Sequence, residues 1–170
     1  MKKRGQVWVE TLIYTLIAFV MMGIVLYFAT PKITQAQDKA IIDQTVKVME
    51  DINTVITTIG IPGNKRLVEI TIKKGDFKID SIENKIIFEI ESKYQYSEIG
   101  DAIEYGGILA TTEQKGDNYF ITLVSDYSNS YNLTYTSQNI IKTLTQSATA
   151  YNLFITNNGG EPVVIDFELG

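Results

Sequence analysis

Apolar residues crowd the first part of the chain, where VETLIYTLIAFVMMGIVLYFAT runs from Val9 to Thr30. From Thr11 to Thr30 twenty residues carry no formal charge. At ~1.5 Å per helical residue that run covers the ~30 Å hydrocarbon core of a bilayer. The pattern then changes. Over residues 33–59 apolar positions recur at Ile41, Ile42, Val48, Met49, Ile52, Val55, Ile56 and Ile59, with Asp38, Asp43, Lys47, Glu50 and Asp51 between them. This spacing describes one face of an amphipathic helix. Gly60-Ile61-Pro62-Gly63 ends it, and Pro31 inside the combined run predicts a kink or a local opening. An otherwise continuous helix from Gln6 to Ile59 would span roughly 80 Å.

Beyond Asn64 the period falls to two. LVEITIKKGDFKID alternates around Lys74-Gly75-Asp76, SIENKIIFEIES around Glu83-Asn84, and TTEQKGDNYFITLVSDY around Gly116-Asp117. YNLFITNNGGEPVVIDFEL reads as a last hairpin across Asn157-Asn158-Gly159-Gly160. Alternation punctuated by turn residues predicts a small sandwich or wrapped sheet. Tyr94–Ile108, with Gly100, Gly106 and Gly107, is less regular and reads as a long loop or an edge. The expected fold class is α+β: a long N-terminal hydrophobic α-helix followed by a β-rich, sandwich-like globular head. The divisions are residues 1–5, a hydrophobic helix over 6–32, an amphipathic stem over 33–60 and a head over 64–170. Ile52, Val55, Ile56 and Ile59 of the stem are expected to pack on the sheet.

Charge orients this arrangement. Lys2, Lys3 and Arg4 precede the apolar run and only Lys32 follows it closely, so the positive-inside bias places the N-terminus in the cytoplasm and the head outside. A cleaved secretory signal competes with this reading, but the long apolar run and the lack of a small-x-small site before Pro31 weigh against it. Residues 94–170 hold only Lys115 and Lys142 against nine acids, so the distal part is acidic. A net charge of -5 gives no electrostatic footprint for a nucleic-acid partner.

The exception inside the apolar run is Glu10. A carboxylate there costs on the order of 3 kcal/mol at mid-depth and less near the interface, so it calls for a partner. The stretch from Lys2 through Gly5, then Gln6-Val7-Trp8-Val9-Glu10 and an apolar helix, resembles the N-terminus of type IV pilin-like proteins. Glutamine after the glycine resembles the archaeal class III signal peptide in particular. The resemblance implies that a membrane prepilin peptidase cuts between Gly5 and Gln6, removing a leader of residues 1–5 and keeping the helix. Gln6 would then supply a free α-amino group. Glu10 of one subunit would pair with the Gln6 amine of its neighbour, neutralising both charges and fixing the axial register.

The function this implies is structural. The chain would be a pilin of an archaeal type IV pilus-like filament on the cell surface, serving adhesion or attachment. Its partners would be copies of itself, the peptidase, an assembly platform with its ATPase, and membrane lipid before assembly. Two alternatives stand beside it: a minor or pseudopilin component of a secretion or motility machine, and a monomeric membrane-anchored surface domain that binds a ligand.

Other chemistry is thin. The chain has no cysteine and no histidine, which removes thiol catalysis, disulfides and the usual zinc sets. No glycine-rich phosphate loop occurs, no cofactor or metal is expected, and the reading is not an enzyme. Asn132-Leu133-Thr134 is a sequon, making Asn132 a candidate N-glycosylation site in an outward loop or edge. Glu89 with Glu91, and Asp166 with Glu168, share strand faces and could form acid pairs or calcium ligands, although solvated strand faces commonly carry such spacing.

Overall fold

A computed structural model describes the backbone of residues 3–170 and the side chains of residues 8–170. Met1 and Lys2 of the expected leader lie outside the described residues, and of Gly5 and Gln6 at the expected processing site only the backbone is described. One helix, α1, covers Lys3–Thr58. Ten strands follow: β1 Lys65–Ile70, β2 Asp76–Asp80, β3 Lys85–Ser92, β4 Ala102–Tyr105, β5 Ile108–Lys115, β6 Asn118–Asp126, β7 Tyr131–Tyr135, β8 Ile141–Leu144, β9 Tyr151–Gly159 and β10 Val163–Leu169. The expected α+β class, a long apolar helix followed by a β-rich head with two sheets, is what the structure contains. Two compact units divide the chain, residues 1–37 and 38–170.

In the first unit α1 passes through Pro31 without interruption, so the expected opening does not occur. Proline removes the N–H that would bond the carbonyl of Tyr27. Hydroxyls on either side bond backwards along the same helix: Thr30 Oγ1 donates to Leu26 O at 2.7 Å, and Thr34 Oγ1 to Thr30 O at 3.2 Å.

In the second unit the helix residues from Asp38 onward belong to the core of the head. Ile42, Val46, Met49, Ile52 and Ile56, with Ile59 just past the end, are buried at spacings of three and four. They share one apolar cluster with Phe77, Phe88, Ile121 and Leu123 from one sheet and Leu133, Leu153, Ile155 and Phe167 from the other. Ile52, Ile56 and Ile59 pack as expected, and Val55 is only partly buried. Val46 and Asp38 were not anticipated on this stripe. The Asp38 carboxylate takes Lys74 Nζ on Oδ1 at 2.7 Å and the Lys93 amide on Oδ2 at 2.7 Å, which satisfies a group that would otherwise be costly to bury.

Helix termination is tied to the sheet by one asparagine. Gly60 has φ +77°, a conformation that favours glycine, and Asn64 Nδ2 donates to Ile59 O at 2.7 Å. Buried Asn157 donates through Nδ2 to Gly60 O at 2.6 Å and accepts the Gly159 amide on Oδ1 at 2.7 Å. The last hairpin is present, but β9 continues through Asn157 to Gly159 and the turn lies beyond it, at residues 160–162. A buried asparagine with its polar atoms engaged cannot be told from a turn asparagine by type alone.

The sheets have four and six strands, in the orders β1-β9-β10-β7 and β4-β5-β6-β3-β2-β8. Hairpins form at Glu83-Asn84, joining β2 to β3, and at Gly116-Asp117, joining β5 to β6. The hairpin expected at Lys74-Gly75-Asp76 does not form. β1 pairs with β9 in one sheet and β2 with β3 and β8 in the other, so this segment crosses between sheets. Alternation reports which residues point inward but not which strand is the neighbour. The irregular stretch Tyr94–Ile108 contains the edge strand β4, paired only with β5.

Candidate functional site

The candidate site is the apolar part of α1 in the first unit. From Trp8 to Phe28 the large apolar side chains are all solvent-exposed, Trp8 at 73%, Tyr27 at 77% and Phe28 at 68%. They lie all round the helix, because exposed residues occur at consecutive positions such as Leu12, Ile13 and Tyr14 or Val20, Met21 and Met22. The helix is long and apolar enough to cross a membrane. Such a surface is stable in lipid or packed among other apolar helices, and unfavourable in water.

Glu10 is exposed within this surface, and Tyr14 donates its hydroxyl to Glu10 Oε1 at 3.2 Å. The two are one helical turn apart and lie on one face. The sequence had left the carboxylate's partner to another chain. An i+4 tyrosine is readable from sequence once the segment is helical, but among so many apolar residues its hydroxyl carries no charge to mark it.

The remaining candidates fall in the head. Asn132 is exposed on β7, an edge strand of the four-stranded sheet, while the hydroxyl of Thr134 in the same sequon donates to Asp166 Oδ1 at 2.5 Å. The carboxylates paired in the sequence take separate partners. Glu89 bonds Lys78 Nζ at 2.7 Å, Glu91 accepts Asn118 Nδ2, and Glu168 bonds Lys65 Nζ at 2.8 Å. Asp166 also receives the Ser137 amide at 2.6 Å, so it completes a local turn. Among the described residues no cluster of three or more metal-ligating side chains occurs.

No described protein family, characterised protein or solved structure matches the chain. Its chemistry is therefore read from its own residues.

Two concave features adjoin β4, one beside Glu104 and one beside Tyr105. A cavity of about 320 Å³ is lined by Asp43, Val46, Lys47, Glu50, Tyr96 and Tyr105. The Tyr96 hydroxyl is pushed above its usual range first by burial and then by the negative charge of Asp43. Elsewhere in the head, burial raises Tyr127 to about 12, and the Ser128 hydroxyl and amide hold Asp126 below the usual carboxylate range.

Proposed function

We propose that the chain is a pilin-like structural subunit, a membrane-anchored precursor whose apolar helix becomes the packed interior of a surface filament. The observation that carries this reading is the apolar surface from Trp8 to Phe28, exposed on every side and containing one carboxylate, Glu10. Lipid satisfies that surface before assembly, and copies of the same helix satisfy it afterwards. The resemblance of Gly5-Gln6 and Glu10 to a class III prepilin supports processing after Gly5, an N-terminus that starts in the cytoplasm, and a head that faces outward. In this reading prepilin peptidase and an assembly platform with its ATPase are partners, and adhesion or attachment is the task of the filament. Intact-mass measurement of the protein extracted from membranes tests it. Loss of residues 1–5 alone is the expected result. Retention of the leader, or cleavage near Thr30, overturns it.

The Tyr14–Glu10 hydrogen bond favours one second reading. It gives the carboxylate a partner in its own helix, which suits a single-pass anchor carrying a monomeric surface domain. Substitutions at Glu10 separate the two.

A further inference from the structure

Of the nine large apolar side chains left exposed beyond residue 60, three stand on the two edge strands of the six-stranded sheet and others lie beside them. Ile103 and Tyr105 stand on β4, with Ile99 before it and Leu109 opposite Glu104 on β5; Ile141 stands on β8, with Ile140 before it, while Ile82 lies in the β2–β3 turn. All four residues of β4 are exposed. Among the described residues, backbone hydrogen bonds of β4 run only to β5 and those of β8 only to β2. Unpaired strand edges that also carry isoleucines are templates for pairing with another chain, and neither edge is blunted by proline or covered by another strand.

Strand direction and charge say which chain fits. Every neighbouring pair in this sheet is antiparallel. With six strands alternating, β4 and β8 run in opposite directions. A second copy in the same orientation therefore sets its β8 antiparallel to β4, and the alternation continues across the junction. Pairing β4 with β4 would instead set Glu104 and Asp101 of one copy against the same acids of the other. The β8 strand carries Lys142, one of only two basic residues after Lys93. Lys142 lies on the inward face beside Ile79, and Tyr105 lies on the inward face of β4 beside Ile108. Within its own head Lys142 Nζ lies 5.3 Å from the centre of the Tyr135 ring, a contact it would exchange for a neighbour's cavity, whose lining holds Asp43 and Glu50 against one lysine, Lys47, beside Tyr96 and Tyr105. Neither Asp43 nor Glu50 has an ion pair or hydrogen bond among the described residues.

We infer that the six-stranded sheet continues from copy to copy, the β8 edge of one head adding to the β4 edge of the next with Lys142 entering the carboxylate–tyrosine cavity. This rests on the filament reading and gives it a head-to-head contact. The interface is heterologous, so it propagates instead of closing into a dimer.

Cysteine cross-linking in the full chain tests it, because the natural sequence has no cysteine. Ala102→Cys and Thr143→Cys, both exposed and on the outward face, are placed in one chain, expressed in cells and treated with a short bis-maleimide. The expected result is a ladder of dimers, trimers and higher species, with each single variant staying monomeric. Adding Lys142→Glu should reduce the ladder at least tenfold, and Asp43→Lys in that chain should restore part of it. Filaments visible by microscopy without a ladder overturn this contact and leave the filament reading standing. Cross-linked dimers from Ala102→Cys alone overturn it in favour of β4–β4 pairing. A ladder without filaments supports the sheet contact and counts against the filament reading, and the absence of both rejects the two together.

Discussion

Asp38 accepts Lys74 Nζ at 2.7 Å while its own side chain is only 4% exposed. A helix carboxylate, a lysine from the segment between β1 and β2, and through Oδ2 the Lys93 amide after β3 are thus held at one point. Asp38 is also the first residue of the head unit. Removing the carboxylate leaves the Lys93 amide unsatisfied, whereas Lys74, 39% exposed, returns to water. Asp38→Ala should therefore destabilise the head by about 1–3 kcal/mol, the range for leaving a buried donor unsatisfied. Asp38→Asn, which keeps an acceptor for the amide, should cost less. Urea unfolding of both variants measures the order. Equal stability of Asp38→Ala and wild type would show that this junction is not structural.

The helix stripe sets the boundary of the folding unit. Ile42, Val46, Met49, Ile52, Ile56 and Ile59 are buried in the head core, and each buried aliphatic side chain contributes roughly 1.5–3 kcal/mol. Together they contribute roughly 9–18 kcal/mol, comparable to the whole ~5–15 kcal/mol net stability of a typical domain. A fragment of residues 38–170 should be soluble, strand-rich by circular dichroism and cooperative on heating. A fragment of residues 61–170 should aggregate or melt without cooperativity. Indistinguishable melting curves would mean that the helix does not contribute to the core.

Tyr127 supplies a pH signature. Its hydroxyl is raised from 10.0 to about 12, chiefly by burial. Below pH 10 the group is protonated in both folded and unfolded states and adds no pH dependence. Between pH 10 and 12 the unfolded chain releases this proton and the folded one does not, so stability falls as pH rises, by up to about 1.4 kcal/mol per pH unit. Tyr127→Phe should flatten that fall without altering the slope below pH 10. Guanidinium unfolding at several alkaline pH values tests this, and an unchanged alkaline slope in the variant would refute it.

Glu10 and Tyr14 separate anchoring from assembly. Glu10→Gln removes the charge and Glu10→Leu removes the polar group too. Membrane insertion should survive both, and filament yield should fall, more severely for leucine. A charge left unpaired in a dry interface costs about 3–5 kcal/mol. Tyr14→Phe removes only the intrahelical donor and should leave filament yield close to wild type. If Tyr14→Phe is as damaging as Glu10→Leu, the carboxylate's working partner is Tyr14 and not a neighbouring subunit.

Much of the architecture was legible because burial leaves a period in the sequence. The apolar run, the stem face around Ile52 and Ile56, the stop at Gly60 and three of the four hairpins follow from spacing and turn residues alone. What was hidden is relational. Lys74-Gly75-Asp76 has the composition of a hairpin turn, yet it carries the chain from one sheet to the other, since pairing is decided by distant strands such as β8 and β9. Asp38 resembles a solvated helix acid until Lys74 and the Lys93 amide arrive from the head. Asn157 resembles a turn residue until the helix end at Gly60 is placed beside it. The weak alternation of β7 and β8 concealed two strands, and with β8 one edge of the six-stranded sheet. Of the candidate site, Glu10 stood out by its charge alone, whereas its neighbour Tyr14 was lost among apolar residues of similar size.

In the proposed filament the apolar helix leaves lipid to pack among copies of itself. Electron microscopy of filaments sheared from expressing cells, with the helical density resolved to side chains, tests it most directly. The expected density is a core of helices carrying Trp8 to Phe28, with Gln6 as the first residue and each Glu10 within ion-pair distance of a neighbour's Gln6 amine. A chain found only as a membrane-bound monomer, or filaments whose core lacks this helix, would contradict it.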